Sequence, residues 1–368
     1  MLHRLTLQLA GSNVLPRGWE VTRGLLPRAL LILGLLTLGL FLARAPLTLC
    51  LLALLGAAGG VLLLRRPTLG LIVLAFGVPF GSLRELHLGA VTLGLSELAL
   101  AATLAAWVAR WMALRQGRLR RLPLTGPLLL FVSAASLSLW PAQNLTPALK
   151  EWLKWIEFLL LYLVVGSALT HGERRGVAAA LLLAGALQAA LGLYQFLFQV
   201  GPPGFILFGR YMRAYGTFRQ PNPFGGYLGL LLPLGYAIVI VQGRAHASWG
   251  ERGLWALALG TSAVMGLGLA ASWSRGALVG LVGGLLLVTL AMGRRIWPLL
   301  VIGLLLATLL GPTLARFLPA GFVDRLADTA TLAGQDLTTL EIDDANFALV
   351  ERLAHWQAAW RMFAQRPW

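Results

Sequence analysis

At 368 residues, 58% hydrophobic and only 12% charged, with a mean hydropathy of +0.77, the chain is far from a soluble globular composition of about 45–50% apolar and roughly a quarter charged residues. Its formal net charge of +16 comes from 30 Lys and Arg against 14 Asp and Glu. These basic residues lie mainly in short links between apolar runs, a positive-inside pattern that favours anionic lipid over nucleic acid as the partner.

Apolar runs of bilayer length recur along the chain, so the expected fold class is an all-α polytopic membrane protein. The single cysteine, Cys50, lies in an apolar run and provides neither a disulfide framework nor a metal cluster. The basic N-terminus (Arg4, Arg17, Arg23, Arg28) precedes the first apolar run with no small-residue cleavage site, which reads as an uncleaved first helix.

In chain order, helices are expected near 28–43, 46–64, 67–80, 92–113, 124–139, 150–169, 176–199, 223–242, 253–271, 277–292 and 296–313. That gives about 11 transmembrane helices between a basic N-terminus, 1–27, and a final segment, 314–368, with the bundle over 28–313. The clusters Arg65-Arg66, Arg115/Arg118/Arg120/Arg121, Arg174-Arg175, Arg244/Arg252 and Arg294-Arg295 fall on alternate turns. Placing those turns and the N-terminus in the cytoplasm satisfies the positive-inside rule at each of them. The segments 81–91, 140–149, 200–222, 272–276 and 314–368 are then expected on the outer face.

The final segment is acidic and polar from Pro319 to Asn346, then turns amphipathic. Leu353, Trp356, Trp360 and Phe363 form one apolar helical stripe, expected to lie on the outer membrane face or against the bundle. An ending at Arg366-Pro-Trp368, just after a helix and with no return span, reads as a fragment of a longer protein, truncated within a large loop.

The polar stretch Arg213-Ala-Tyr-Gly-Thr-Phe-Arg-Gln-Pro-Asn-Pro-Phe-Gly-Gly-Tyr227 lies between two long apolar runs. Arg213 and Arg219 are permanent cations whose planar fork matches phosphate oxygens; anchoring among phospholipid headgroups is the competing structural reading. Gly216, Pro221, Pro223, Gly225 and Gly226 are expected to build a non-helical connector that offers backbone N–H groups to an anion. Arg275, in the short link Ser274-Arg-Gly276, is a cation on the face that the positive-inside bias leaves poor in cations. Lys150, Glu151, Lys154 and Glu157 bring charge into the outer part of a spanning helix, where a mutually satisfied Lys154–Glu157 pair that holds the cavity in shape is the favoured reading. His3, His87, His171 and His246 are scattered, and His355 falls on the polar side of the last helix. Neither a metal motif nor a P-loop is present, so no cofactor is expected.

The combination Arg213-x-x-Gly-Thr-Phe-x-x-Pro-Asn-x-x-Gly-x-Tyr227 followed by Ser274-Arg-Gly-Ala277 resembles the O-antigen ligase and polymerase superfamily. Arg352-x-x-x-Trp356-x-x-Ala359 with a terminal Arg-Pro looks like the start of that family's large extracytoplasmic loop. The resemblance covers about residues 150–368. It implies a GT-C-like bundle in the bacterial cytoplasmic (inner) membrane, multi-pass with a cytoplasmic N-terminus, and a metal-independent glycosyltransferase. The implied donor is undecaprenyl diphosphate-linked glycan, and the acceptor is a hydroxyl on a glycan or lipid. By motif, Arg213 and Arg275 would act on the diphosphate as catalytic residues, with Arg219 and Asn222 binding it. The family's loop later carries a histidine, which His355 does not match in position, so the fragment is expected to be inactive. Two other classes are weighed against this reading: a transporter or flippase for an anionic or lipid-linked solute, and a structural or regulatory membrane subunit. Within the transferase class, ligase and polymerase are not separated by these residues.

Overall fold

The computed structural model describes residues 32–34, 36–37, 39–40, 43–44, 46–81, 85–88, 91–113, 122–207, 209–242, 249–293, 298, 301–303, 305, 309 and 347–365. The N-terminus 1–27, most of the helix expected at 296–313 and the acidic segment 319–346 lie outside the described residues. So do His3 and His246.

The chain divides after Leu62 into two units. In the first, the residues from Leu47 onward form most of helix α1 (Leu47–Arg65), a continuous apolar run with exposed leucines. The second unit starts with the end of α1 and continues through α2 (Thr68–Phe80), the hairpin β1–β2 (Glu85–Leu88 and Val91–Gly94), α3 (Leu95–Ala113), α4 (Thr125–Leu137) and α5 (Leu145–Ala168). It then runs through α6 (His171–Phe198), the small hairpin β3–β4 (Ile206–Leu207 and Tyr211–Met212), α7 (Pro221–Gln242), α8 (Trp249–Ala271), α9 (Arg275–Ala291) and α10 (Phe347–Gln365). Among the described residues, four helices are long and apolar enough to cross a membrane: Leu47–Arg65, His171–Phe198, Pro221–Val241 and Gly250–Ala271. Three more, Thr68–Phe80, Thr125–Leu137 and Arg275–Ala291, are apolar but shorter. The chain is a mostly helical, multi-pass membrane protein.

Two expectations need correction. The segment before α3 is not a plain link: Glu85 pairs with Gly94 and Leu88 with Val91 in an antiparallel hairpin, and the helix starts only at Leu95. Strand-forming Leu, Val and Thr alternate there, a period-2 pattern that a search for 3.6-residue periodicity passes over. The connector around Arg213 is also shorter than expected. Pro221, Pro223, Gly225 and Gly226 already belong to α7. Proline suits a first helical turn, where its missing N–H has no partner to lose.

Helices α6 and α8 run parallel at the centre of the second unit. Arg175 Nη2 lies 2.6 Å from Glu251 Oε1 where both helices begin. Near the other end, a Cβ on Gly268 would come within 2.8 Å of the Ala189 Cβ, so the two backbones pack closely. Close approach through small residues is how helices associate in lipid, where apolar burial alone gives little drive. Helix α7 packs against both of them, antiparallel, and buries Phe224, Leu228, Leu231 and Leu232 with Met265 and Leu269. Pro233 of α7 is covered by Gly284 of α9, where a Cβ would meet its Cγ at 2.9 Å.

The start of α6 is set by a capping box. Thr170 Oγ1 accepts from the Glu173 N–H, while Glu173 Oε2 accepts from the Thr170 N–H at 2.8 Å. From Glu173 to Gln195 the helix rises roughly 33 Å at about 1.5 Å per residue, close to the thickness of a bilayer core. One end of the second unit therefore gathers Glu173, Arg175 and Glu251, and the other gathers the connector between α6 and α7.

Candidate functional site

The connector is held by two glutamines that project from α6. Gln195 Oε1 accepts from the N–H groups of Tyr215 (3.1 Å) and Gly216 (2.8 Å), and its Nε2 donates to Gly216 O at 2.9 Å. Seven residues earlier, and so on the same helix face, Gln188 Oε1 accepts from the Thr217 N–H at 3.1 Å. Its Nε2 donates to Thr217 Oγ1 at 2.8 Å and to Pro79 O at 3.3 Å. Thr217 Oγ1 also donates to Pro79 O. Both glutamines are buried. Each gives the irregular backbone of residues 215–217 the partners that a helix would have supplied, without which such backbone is costly at membrane depth. Gly216 has φ +56, and a Cβ there would meet Gln188 Oε1 and the Phe224 ring. Only glycine fits this turn.

The same connector closes the end of α8. The last carbonyls of a helix have no partner within it. Here the Ala214 N–H donates to Ala271 O at 2.9 Å, and Arg213 Nε donates to Ser272 O at 2.9 Å. The Arg213 charge is well placed against the negative end of the α8 dipole. Its Nη2 also donates to Asn222 Oδ1 at 2.9 Å, from the second residue of α7. Two of five guanidinium donors thus fix the plane of the side chain.

Arg275 opens α9, three residues after Ser272. Ser272 and Ser274 are buried, and the Ser274 N–H donates to Ser272 Oγ at 3.2 Å. Against them packs Gly225 of α7, where a Cβ would lie 2.9 Å from Ser272 Oγ and 3.0 Å from the Ser274 Cβ. The ring of Trp273 stacks on Tyr211, with centroids 5.6 Å apart. Among the described residues, three other than glycine adopt positive φ: Gln199, Arg219 and Trp273. All three flank this end of the bundle, and left-handed backbone at a bulky residue is a strain that collects at functional sites.

The third segment arrives through α10. Arg352 Nη1 lies 3.6 Å from where a Cβ on Gly276 would sit, so its guanidinium stands beside the first turn of α9. Arg352 is exposed, as are Trp356, Trp360, Met362 and Phe363 along the same helix. The connector, the Ser-Arg-Gly link and the final helix thus come together at one end of the second unit. Residues 314–346 of that final segment lie outside the described residues.

The predicted residues do not all enter this cluster. Arg213, Asn222 and Arg275 sit on the two connections joined by the Arg213–Ser272 bond. Arg219 is exposed, six residues further along the connector from Arg213. Lys154 and Glu157 form no pair. Lys154 Nζ instead bonds Glu151 Oε1 at 2.6 Å, with side chains 65% and 69% exposed. Both glutamates stand three residues from Lys154, and a glutamate on the N-terminal side of a lysine is the better orientation. His355 is exposed on α10, and His171 opens α6. No group of three or more His, Cys, Asp or Glu is arranged to hold a metal ion among the described residues.

Residues 260–368 match the family model described as O-antigen ligase. That stretch, about the last third of the chain, is similar to the O-antigen ligase family. Comparison with curated proteins and with solved structures gave no match. The matched stretch holds the end of α8, the Ser272–Gly276 link, α9 and α10, and so includes Arg275 and Arg352. Arg213 lies outside it and is joined to it by its hydrogen bond to Ser272.

Sequence reasoning passed over Gln188 and Gln195. Their signal was present: two amides seven residues apart on one face of an otherwise apolar spanning helix. A polar side chain at that depth marks a partner that has to be satisfied. Arg352 stood in a recognised motif, but sequence spacing alone did not bring it beside Gly276.

Proposed function

We propose that the chain is a membrane glycosyltransferase of the O-antigen ligase type, acting on an undecaprenyl diphosphate-linked glycan at the outer face of the bacterial cytoplasmic membrane. The observation that carries this reading is the Arg213–Ser272 hydrogen bond. It unites the connector with the Ser-Arg-Gly link inside a stretch that matches the O-antigen ligase model. The positive-inside pattern of the basic turns supports placing this end of the bundle outside and the Arg175–Glu251 end in the cytoplasm.

In this reaction the bond between the anomeric carbon and the diphosphate oxygen breaks, and the acceptor hydroxyl oxygen takes its place. The diphosphate leaves with the bonding electrons, and the hydroxyl proton is released to the medium. Arg213 and Arg275 offset the charge that grows on the departing diphosphate, while Asn222 orients Arg213 and Arg219 contributes to donor binding. Preorganised donors act in this way without moving at the moment of reaction. Lys154 and Glu157 take no part. Reaction energy comes from the activated donor, so neither a nucleotide nor a metal enters the scheme.

The test is transfer of glycan from undecaprenyl diphosphate by the full protein in proteoliposomes. Arg213→Ala and Arg275→Ala should each slow product formation by about tenfold or more while inserting normally. One glycan per acceptor identifies a ligase, and a ladder of lengths identifies a polymerase. Full transfer by both variants removes the mechanism, and solute uptake without bond cleavage replaces it with transport.

A further inference from the structure

The opposite end of the second unit contains a hollow of about 670 Å³. Its lining includes Arg65, Arg66, Arg110, Trp107, Trp111 and Glu173. A hollow of this size is within the range of small-ligand sites. It lies where α1 ends and where α2 and α6 begin, roughly 33 Å of helix from Gln195. It is therefore separate from the Arg213 cluster.

Its walls are rich in donors. Arg65 and Arg66 are exposed. Arg110 spends one N–H on the carbonyl of Arg65, and four donors of that guanidinium stay for other acceptors. None of the three arginines has a carboxylate within ion-pair distance among the described residues. The carboxylate present, Glu173, is already occupied. It accepts from the Thr170 N–H (2.8 Å), Thr170 Oγ1 (2.7 Å) and Thr68 Oγ1 (3.1 Å). The indole N–H of Trp111, in the same wall, is buried without a hydrogen-bond partner among the described residues. An indole nitrogen donates and never accepts. Three guanidinium groups and an orphan indole N–H, with the local carboxylate turned to its own helix cap, call for a ligand that carries negative charge and several acceptor oxygens. Trp107, only 8% exposed, and Leu71 supply an apolar wall beside them.

We infer that this hollow is a binding site for a phosphate-bearing anion, provided either by an anionic lipid headgroup or by a free phosphate compound. Planar guanidinium forks match phosphate oxygens geometrically as well as electrostatically. The inference is independent of the transferase reading.

The experiment uses the full-length protein, purified in detergent, with two probes. Native mass spectrometry counts retained phosphatidylglycerol after exchange against phosphatidylcholine. Equilibrium dialysis with labelled inorganic diphosphate measures the free anion. Wild type should hold at least one probe, and Arg65→Ala/Arg66→Ala should weaken it at least tenfold. Lys154→Met, in an exposed ion pair outside both sites, should change it less than twofold. Retained lipid without diphosphate binding identifies a headgroup site, and the reverse identifies a soluble ligand. Trp111→Phe keeps the ring and deletes the donor, so it tests the site if the double variant does not fold; affinity should fall severalfold. Binding of neither probe by wild type, or unchanged binding in a folded variant, overturns the inference.

Discussion

Replacing Gln195 with leucine should release the connector while leaving the bundle assembled. Gln195 makes three hydrogen bonds to the backbone of Tyr215 and Gly216, at 2.8 to 3.1 Å. Each such bond contributes about 1 kcal/mol net, although interhelical bonds within membranes average nearer 0.6 kcal/mol. The connector is therefore held against local opening by about 2–3 kcal/mol from this side chain, or a factor of roughly 30 to 150 in the opening equilibrium at about 1.4 kcal/mol per tenfold. Ala214, fully buried and bonded to Ala271 O, reports that opening. In a Cys50→Ser background, a cysteine in place of Ala214 should be labelled slowly by an impermeant maleimide. Adding Gln195→Leu should raise that rate by about two orders of magnitude and abolish transfer. A change within threefold would refute the view that buried amides hold the connector.

Three further outcomes check other parts of the account. Gly225→Val should lower thermal stability by about 1–3 kcal/mol through overpacking and impair transfer, because the added methyls meet Ser272, Ser274 and Ala277; a fluorescence-monitored melt reads this. Lys154→Met should cost less than about 1 kcal/mol, the range for an exposed ion pair, with glycan transfer unchanged in the proteoliposome assay. In the same cysteine-free background, Gln220→Cys should react with an impermeant reagent from outside intact cells and Arg174→Cys only after lysis, since both positions are exposed at opposite ends of the bundle; the reverse pattern would invert the topology.

Much of the helical framework was legible because long apolar runs admit few other structures. The runs expected at 46–64, 176–199 and 253–271 reappear as α1, α6 and α8 with small shifts at their ends. Arg213, Asn222 and Arg275 could be picked out because cations and amides are rare between such runs. Contacts across the chain were less accessible. Glu151 and Glu157 are both one turn from Lys154, and only the orientation preference for a glutamate on the N-terminal side separates them. Spacing does not reveal that Arg213 caps α8, which depends on where α6 and α7 place the connector. The start of α7 is hidden in the sequence because proline and glycine ordinarily break helices. Two prolines instead open this helix, and Gly225 allows close packing.

The central claim is that Arg213 stabilises the leaving diphosphate. Single-turnover cleavage of the donor by wild type and Arg213→Ala, with donor affinity measured in parallel, tests it most directly. A charge-assisted hydrogen bond contributes about 1.5–3 kcal/mol, so the cleavage step should slow by about 10- to 150-fold at 1.36 kcal/mol per tenfold. Donor affinity should change much less, and Arg213→Lys should restore only part of the rate. An unchanged cleavage rate with the protein folded and the donor bound would contradict the account.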